Sequence, residues 1–529
     1  MAPVPRARPH ALVVPFPAQG HVIPLMEVAH ALADRGVAVT FVNTEFNHAR
    51  VVAAMSSSPV PSKTEFNTRN GSSGRMIRLV AVPDGMGPDE DRNNLVRLTM
   101  LMQEHMAPRV EELIRRSGRG GEEEGADGDG LGRITCVVAD YNVGTWALDV
   151  ARGADSSVLS LWSAFSPFQE NTREKWEAET RVYVIVEISV PYPQSREVRV
   201  FHHDNYGHCG GFCGSRTNSF GKYDINYSSR VWIAALTQET FQLSPDMPVM
   251  NPAHLAWNCI GNDEGQELLF RYLLAGVRAV DECDYILCNS FRGAEAATFA
   301  RFPKIVPVGP LLTGERPGKP VGHFWRPEED ACMDWLDAQP ARSVVYVAFG
   351  SFTMFDRRQF QELALGLELT GRPFLWVVRP DIVHGDVHEY PEGFLDRTAS
   401  GRGKLVSWAP QQRVLAHPAV ACFVSHCGWN STMEGIRNGV PLVAWPYFAD
   451  QFVNRAYICD IWRIGVQAVA DGKSGVITKE HIAGRVEEVM GDAGMRKRVE
   501  ALMAAAHESV QEGGCSHGNF DMFVEAITA

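Results

Sequence analysis

Apolar and polar positions along this chain fall into blocks that switch between a strand rhythm and a helix rhythm. His10–Pro15 is a short apolar run of the kind that makes a buried strand. Ile23–Arg35 follows as an amphipathic helix, with Leu25, Val28, Ala29 and Leu32 at helical spacing. Gly36 stops it, and Val37–Asn43 supplies the next strand. This strand, helix and strand predict a βαβ unit and hence an open parallel sheet. A second unit lies far downstream. Ser343–Phe349 reads as strand and Arg357–Thr370 as helix; Gly371 and Pro373 break it, and Phe374–Val378 returns as strand. Between them, Thr313–Glu329 is rich in Gly, Pro and charge without apolar periodicity, which predicts an interdomain linker.

Two stretches break the α/β rhythm. Ser117 to Gly132 is a Gly, Glu and Asp tract, read as a mobile surface loop. From about Gly153 to Trp232 no period holds: Arg181–Val190 could form a strand, but the stretch finds no place in a parallel sheet. Its group of His202, His203, His208, Cys209 and Cys213 matches no common zinc spacing, so a poorly packed insert is preferred to a metal site.

Composition narrows the picture. At about 150 residues per domain, 529 residues set a prior of three to four domains, which the two widely spaced βαβ units reduce to two large ones. The formal charge of −13 argues against nucleic acid or anionic membrane as partners, because both need clustered Lys and Arg. No apolar run reaches membrane-spanning length, and the segment after Arg6 and Arg8 is too short for a secretory signal. Eleven scattered cysteines, an odd number, make a disulfide framework improbable and a cytoplasmic protein the expectation. A phosphate ligand would have to be held by backbone dipoles and a few chosen side chains.

Such a device is legible between Trp408 and Gln451. Val420–Ser425 is a buried strand, His426-Cys427-Gly428 a turn, and Asn430 or Ser431 a candidate N-cap for a helix running to about Asn438 and closed by Gly439. A helix start after a glycine turn is an anion site, with free N–H groups and a partial positive charge. Trp408 could stack a base, Glu434 could accept from ribose hydroxyls, and Asp450 and Gln451 suit sugar hydroxyls. Taken singly, each has a blander reading as a core aromatic, a solvated carboxylate or a structural histidine. Their joint appearance favours the site.

The 44 residues from Trp408 to Gln451 resemble, without a gap, the donor-binding signature of plant secondary-product UDP-glycosyltransferases of glycosyltransferase family 1. The resemblance extends to Cys288–Phe291, Gly309–Leu311 and Ala348–Ser351, and covers the chain up to about Arg152 and again from about Ile233. It implies an α/β GT-B fold, two Rossmann-like doubly wound domains facing a cleft. An N-terminal acceptor domain would span 1–312, a linker 313–329, the donor domain 330–510, and a helix at 511–529 would cross back. It further implies that Trp408 stacks on uracil and that Ala409 contacts the base edge through its backbone. Gln411 and Glu434 would bind ribose; His426, Asn430 and Ser431, with Ser351 nearby, would hold the diphosphate. Trp429, Asp450 and Gln451 would meet the sugar, the terminal Gln favouring UDP-glucose.

Catalysis needs a base on the acceptor side. Pro17–His21 forms the first βα turn, which puts His21 at the mouth of the sheet, where open α/β folds bind ligands. A helix-capping histidine is the competing reading, and the resemblance identifies His21 as the base. Asp140, after the apolar run Thr135–Ala139, would orient it. The implied reaction is a single inverting displacement that gives a β-glucoside on a hydroxyl or carboxyl of a small lipophilic metabolite. No metal and no cofactor are expected beyond the UDP-glucose co-substrate, and a monomer is expected. The triplet Asp127-Gly128-Asp129 lacks a flanking strand and is not read as a metal motif. A nicotinamide oxidoreductase is disfavoured because neither βαβ unit carries G-x-G-x-x-G. The alternative is a catalytically impaired UDP-sugar-binding homologue, with acceptor binding lost through the irregular stretch 153–232.

Overall fold

The computed structural model describes residues 9–55, 65–70, 75–119, 131–153, 181–186, 240–255, 265–270, 272–273, 276, 283, 285–311, 322–383, 389–399 and 401–528. The possible zinc ligands between 202 and 213 and the acidic triplet at 127–129 lie outside these residues.

Two sheets organise the chain. The first contains β1 (His10–Val14), β2 (Ala38–Thr44), β3 (Glu65–Asn70), β4 (Arg75–Val82), β5 (Cys136–Asp140), β6 (Arg181–Val186), β7 (Tyr285–Cys288) and β8 (Ile305–Pro307). Its order is β3-β4-β2-β1-β5-β6-β7-β8, parallel except for the edge strand β3. The second contains β9 (Val344–Ala348), β10 (Phe374–Val377), β11 (Gly403–Val406), β12 (Val420–Ser425), β13 (Leu442–Ala444) and β14 (Gly465–Gln467), in the order β11-β10-β9-β12-β13-β14, all parallel. Strands β1, β2, β5, β9, β10, β12 and β13 are buried throughout. Helices cover both faces of such sheets, so the strands read as unbroken apolar runs. Period two still sorts the faces. Ala11 and Val13 join one core cluster while Leu12 and Val14 join another, and Val345 and Val347 likewise separate from Val344 and Tyr346.

Each sheet has one point where the strand order reverses, between β1 and β5 and between β9 and β12. Crevices at the carboxyl ends of strands form at such points. His21 and Asp140 follow the first reversal; Gly350 and His426 follow the second.

Several expectations need revision. Within the irregular stretch, Arg181–Val186 does find a place in the parallel sheet, between β5 and β7. Its β-branched sequence RVYVIV was a strand signal hidden by its surroundings. The helix Leu95–Arg119 runs through Ser117, whose Oγ donates to Ile114 O and accepts from Ile134 N, so this residue closes a helix rather than opening a loop. The connection between the sheets, expected as a linker, is packed over its described part: Phe324 is buried in the first domain's core. The last helix, Cys515–Thr528, packs Phe520, Phe523 and Ile527 into that same core, and Asn519 Nδ2 donates to Pro307 O at 2.8 Å. Among the described residues no helix is long and apolar enough to cross a membrane.

The helix expected from Ile23 starts four residues earlier, at Gln19, and so contains Pro24. Proline has no N–H, so the carbonyl of Gly20, four residues back, receives no helical bond. Asn430 Nδ2 donates to that carbonyl from the second domain.

Candidate active site

The first half of the site is built at the end of β1. Ala18 is the N-cap of the helix Gln19–Asp34, which places His21 in its first turn. His21 Nδ1 lies 2.8 Å from Asp140 Oδ2, and the edge of Phe16 packs on the imidazole at 5.3 Å. The Asp140 side chain is 4% exposed, that of His21 25%. Asp140 Oδ1 accepts from Asn142 N–H at 2.8 Å, which fixes the carboxylate. A carboxylate on Nδ1 selects the tautomer with its proton there and leaves Nε2 as the basic nitrogen.

The second half grows from β9 and β12. The helix Trp429–Arg437 has Gly428 as N-cap and no side-chain cap, so neither Asn430 nor Ser431 occupies the capping position expected for it. Asn430 and Ser431 are the second and third residues of the first turn, where backbone N–H groups lack intrahelical acceptors. Cys427, with φ of 66°, turns the chain into the helix, and Asn454 Nδ2 holds its carbonyl at 2.8 Å.

His426 is pinned between two glycines. A Cβ at Gly350 would stand 2.4 Å from its Nε2, and one at Gly428 2.5 Å. Burial first, then neighbouring Arg379, pushes the His426 pKa down to about 4, against a smaller opposing bond to Ala348. Burial thus favours the neutral imidazole, which would offer a phosphate a hydrogen bond rather than a charge. The fixed positive charge is that of Arg379, which is 1% exposed. Arg379 donates to Gly350 O, to Thr353 O at 2.7 Å and to Asp381 Oδ1 at 3.0 Å. Sequence reading missed this residue, although a lone cation directly after the apolar run Phe374–Val378 was a visible signal. Ser351, half-buried, follows Gly350 in the same turn.

Gln411, Ser431 and Glu434 form one polar cluster. Gln411 Nε2 donates to Ser431 Oγ at 2.8 Å and to Glu434 Oε2 at 2.5 Å, while Tyr346 O–H donates to Gln411 Oε1 at 3.0 Å. Burial raises the Glu434 pKa to about 7; bonds from Gln411 and Gln412 oppose the shift, and Glu27 across the cleft adds to it. Trp408 is half-buried and packs ring to ring with Trp325 at 4.8 Å; Ala409 beside it is buried.

The remaining residues divide. Asp450 Oδ2 accepts from Asn454 Nδ2 at 2.7 Å. Gln451 Oε1 accepts from the N–H groups of Tyr447 and Phe448, at 2.8 and 3.1 Å, so its carboxamide is oriented by the preceding turn. The Trp429 side chain, expected at the sugar, is instead buried in the second domain's core, and its Nε1 donates to Asn289 O at 2.7 Å. A large indole gains more from that core than from a wet cleft. Asn289 Nδ2 also donates to Asn430 Oδ1 at 3.1 Å, so Asn430 joins Gly20, next to His21, to the start of the helix Trp429–Arg437. Among the described residues no group of three His, Cys, Asp or Glu is placed to hold a metal ion.

Residues 323–509 match the family described as UDP-glucoronosyl and UDP-glucosyl transferase. Over 525 residues the chain is 37% identical to UDP-glycosyltransferase 83A1 of Arabidopsis thaliana, covering 98% of this chain and 97% of that one. It is 31% identical over 546 residues to linamarin synthase 1 of Manihot esculenta, covering 99% and 98%. The crystal structure of Os79 from O. sativa in complex with UDP superposes with a TM-score of 0.67 at 26% identity, covering 98% of this chain and all of that one.

Proposed function

The chain belongs to the UDP-glycosyltransferase family, and from that premise we propose that it moves glucose from UDP-glucose to a hydroxyl or carboxyl oxygen of a small lipophilic plant metabolite, with inversion and without a metal. The observation that carries the reading is the His21–Asp140 pair, 2.8 Å apart and joined through Gly20 to Asn430 at the opposing helix start.

His21 Nε2 takes the proton from the acceptor as its oxygen attacks the anomeric carbon; the bond from that carbon to the β-phosphate oxygen breaks, and UDP leaves. Asp140 stabilises the imidazolium that forms. The uncapped start of Trp429–Arg437 and the neutral N–H of His426 meet the charge that develops on the leaving phosphate. Trp408 and the Ala409 backbone take uracil, Gln411 and Glu434 the ribose, and Asn430, Ser431 and Ser351 the diphosphate. Asp450 and the NH2 of Gln451 take sugar hydroxyls, and Trp429 contributes through its backbone.

An acceptor panel incubated with UDP-glucose and read by mass spectrometry, with the product anomer assigned by NMR, tests this. A β-glucoside formed with EDTA present is the expected result. UDP binding without transfer to any acceptor would instead identify an impaired homologue.

Two further results are expected. Asp140→Asn keeps the shape of the dyad but favours the wrong tautomer, and should lower kcat by about 10²- to 10⁴-fold with UDP affinity unchanged, as steady-state kinetics and calorimetry would read. For Glu434 the sign follows from its raised pKa. In the free protein it keeps its proton between about 4.5 and about 7 while the unfolded chain loses it, so its contribution to stability falls with rising pH across that window. A carboxylate is the better acceptor for ribose hydroxyls, so UDP affinity should rise as pH passes through about 7. Glu434→Gln should flatten that rise, while titration of UDP itself cancels in the comparison.

A further inference from the structure

Between the two sheets the chain passes through residues 322–328, and this short strap is bonded at both ends to elements of the reaction centre. At the acceptor end, Phe324 N–H donates to Gln19 Oε1 at 2.9 Å, and Gln19 Nε2 lies 3.3 Å from His323 Nδ1. Gln19 is 4% exposed and is the first residue of the helix that carries His21. Burial drives the His323 pKa down to about 4, so its ring is neutral and Nδ1 can accept from the carboxamide. At the donor end, Glu328 N–H donates to Trp408 O at 2.9 Å. Glu328 Oε1 accepts from both the N–H and the hydroxyl of Ser407, each at 2.7 Å. Between these anchors Phe324 is buried in the first domain's core, and Trp325 packs at 4.8 Å, tilted by 32°, on the ring of Trp408. Arg50, on the helix Glu45–Met55, lies 5.5 Å over the Trp325 ring.

A spacer needs none of this. Here a buried carboxamide uses its oxygen and its nitrogen on two consecutive strap residues, and a carboxylate clamps Ser407, the residue before Trp408. Placement of a base relative to its substrate is steep in rate: about 1 Å of error can cost about 10²-fold. Two domains that each carry half of a site need something to set their register, and the strap is bonded to both.

We propose that Gln19 and Glu328 are positioning residues, which through Phe324 and Trp325 hold the nucleobase plate Trp408 and the His21 helix in one register. The proposal rests on the reading above, in which Trp408 takes uracil and His21 takes the proton. It separates kcat from donor affinity, because neither anchor is among the residues assigned to the donor.

Kinetics with UDP-glucose and an accepted acceptor, beside calorimetry with UDP, test it on the full chain. Gln19→Leu and Glu328→Ala should each lower kcat about tenfold, with the donor KM and UDP affinity changed less than about twofold. The double variant should be little worse than either single one, since both break the same strap. Glu328→Gln keeps the accepting oxygen and should recover most of the rate. Trp325→Phe keeps a ring and serves if the larger changes do not fold; it should show the same kcat-only loss in milder form. Unchanged kcat in both single variants, losses that multiply in the double, or a parallel fall in UDP affinity would overturn the coupling. His21→Ala and Trp408→Ala run alongside: turnover surviving the first, or UDP affinity surviving the second, would instead sink the underlying reading.

Discussion

His21→Ala is expected to remove glucosyl transfer while UDP still binds. General-base catalysis contributes about 10²- to 10⁴-fold, and no other described imidazole pairs with a buried carboxylate at this mouth of the first sheet. The substitution leaves Asp140, 3% exposed, without the partner of its Oδ2. An unpaired buried carboxylate is costly, so some loss of stability should accompany the loss of rate. His21→Gln restores a hydrogen-bond donor to Asp140 without restoring a base, and should recover stability but not turnover. Single-turnover transfer by mass spectrometry, UDP titration by calorimetry and thermal melts separate these effects. Unchanged turnover in either variant would remove His21 from the mechanism.

Gly350→Ala is expected to damage the donor half as severely. Gly350 has φ of 64°, in the left-handed region where a side chain costs about 1–2 kcal/mol. The new methyl would also lie 2.4 Å from His426 Nε2, far inside the usual contact distance of about 3.5–4.0 Å. The imidazole cannot retreat freely, because Gly428 approaches the same nitrogen from the helix side. UDP affinity should fall by about tenfold or more, equivalent to about 1.4 kcal/mol. Gly371→Ala is the matched control. It has φ of 65° with no atom within 4 Å of the added Cβ, so it shares the backbone penalty without the collision. It should lower the melting temperature and leave UDP affinity alone. Equal affinity losses in the two variants would show that the glycine is needed only for its backbone angle.

Much of this architecture is legible in the chain because it is local. Buried parallel strands write themselves as apolar runs, and His21 and Asp140 are recognisable as polar residues placed at the carboxyl ends of two such runs. What local pattern does not carry is contact between distant segments. Nothing near Trp429 shows that its indole N–H is taken by Asn289, 140 residues earlier. Nothing near Gln19 shows that it bonds Phe324, 305 residues later. The packing of the strap is not legible because charge, glycine and proline dominate the linker's composition, while two aromatic residues decide how it packs. His426 is a different case. The sequence carries no sign of its protonation state, and burial beside Arg379 pushes its pKa down to about 4.

Pro24 leaves the His21 helix one bond short, and the partner that completes it lies 410 residues away from Gly20 along the chain. Synthesis proceeds from the N-terminus and domains generally fold as units in that order. The first sheet can therefore assemble around a helix whose open carbonyl cannot be satisfied until Asn430 has emerged and the second sheet has formed. The helix that carries His21 is thus finished late, by the second domain, just as the first domain's core is completed late by the helix Cys515–Thr528. A nascent or truncated first domain would carry His21 but not the clasp that seats its helix. In this chain the order of synthesis itself delays the closing of that helix until both domains exist.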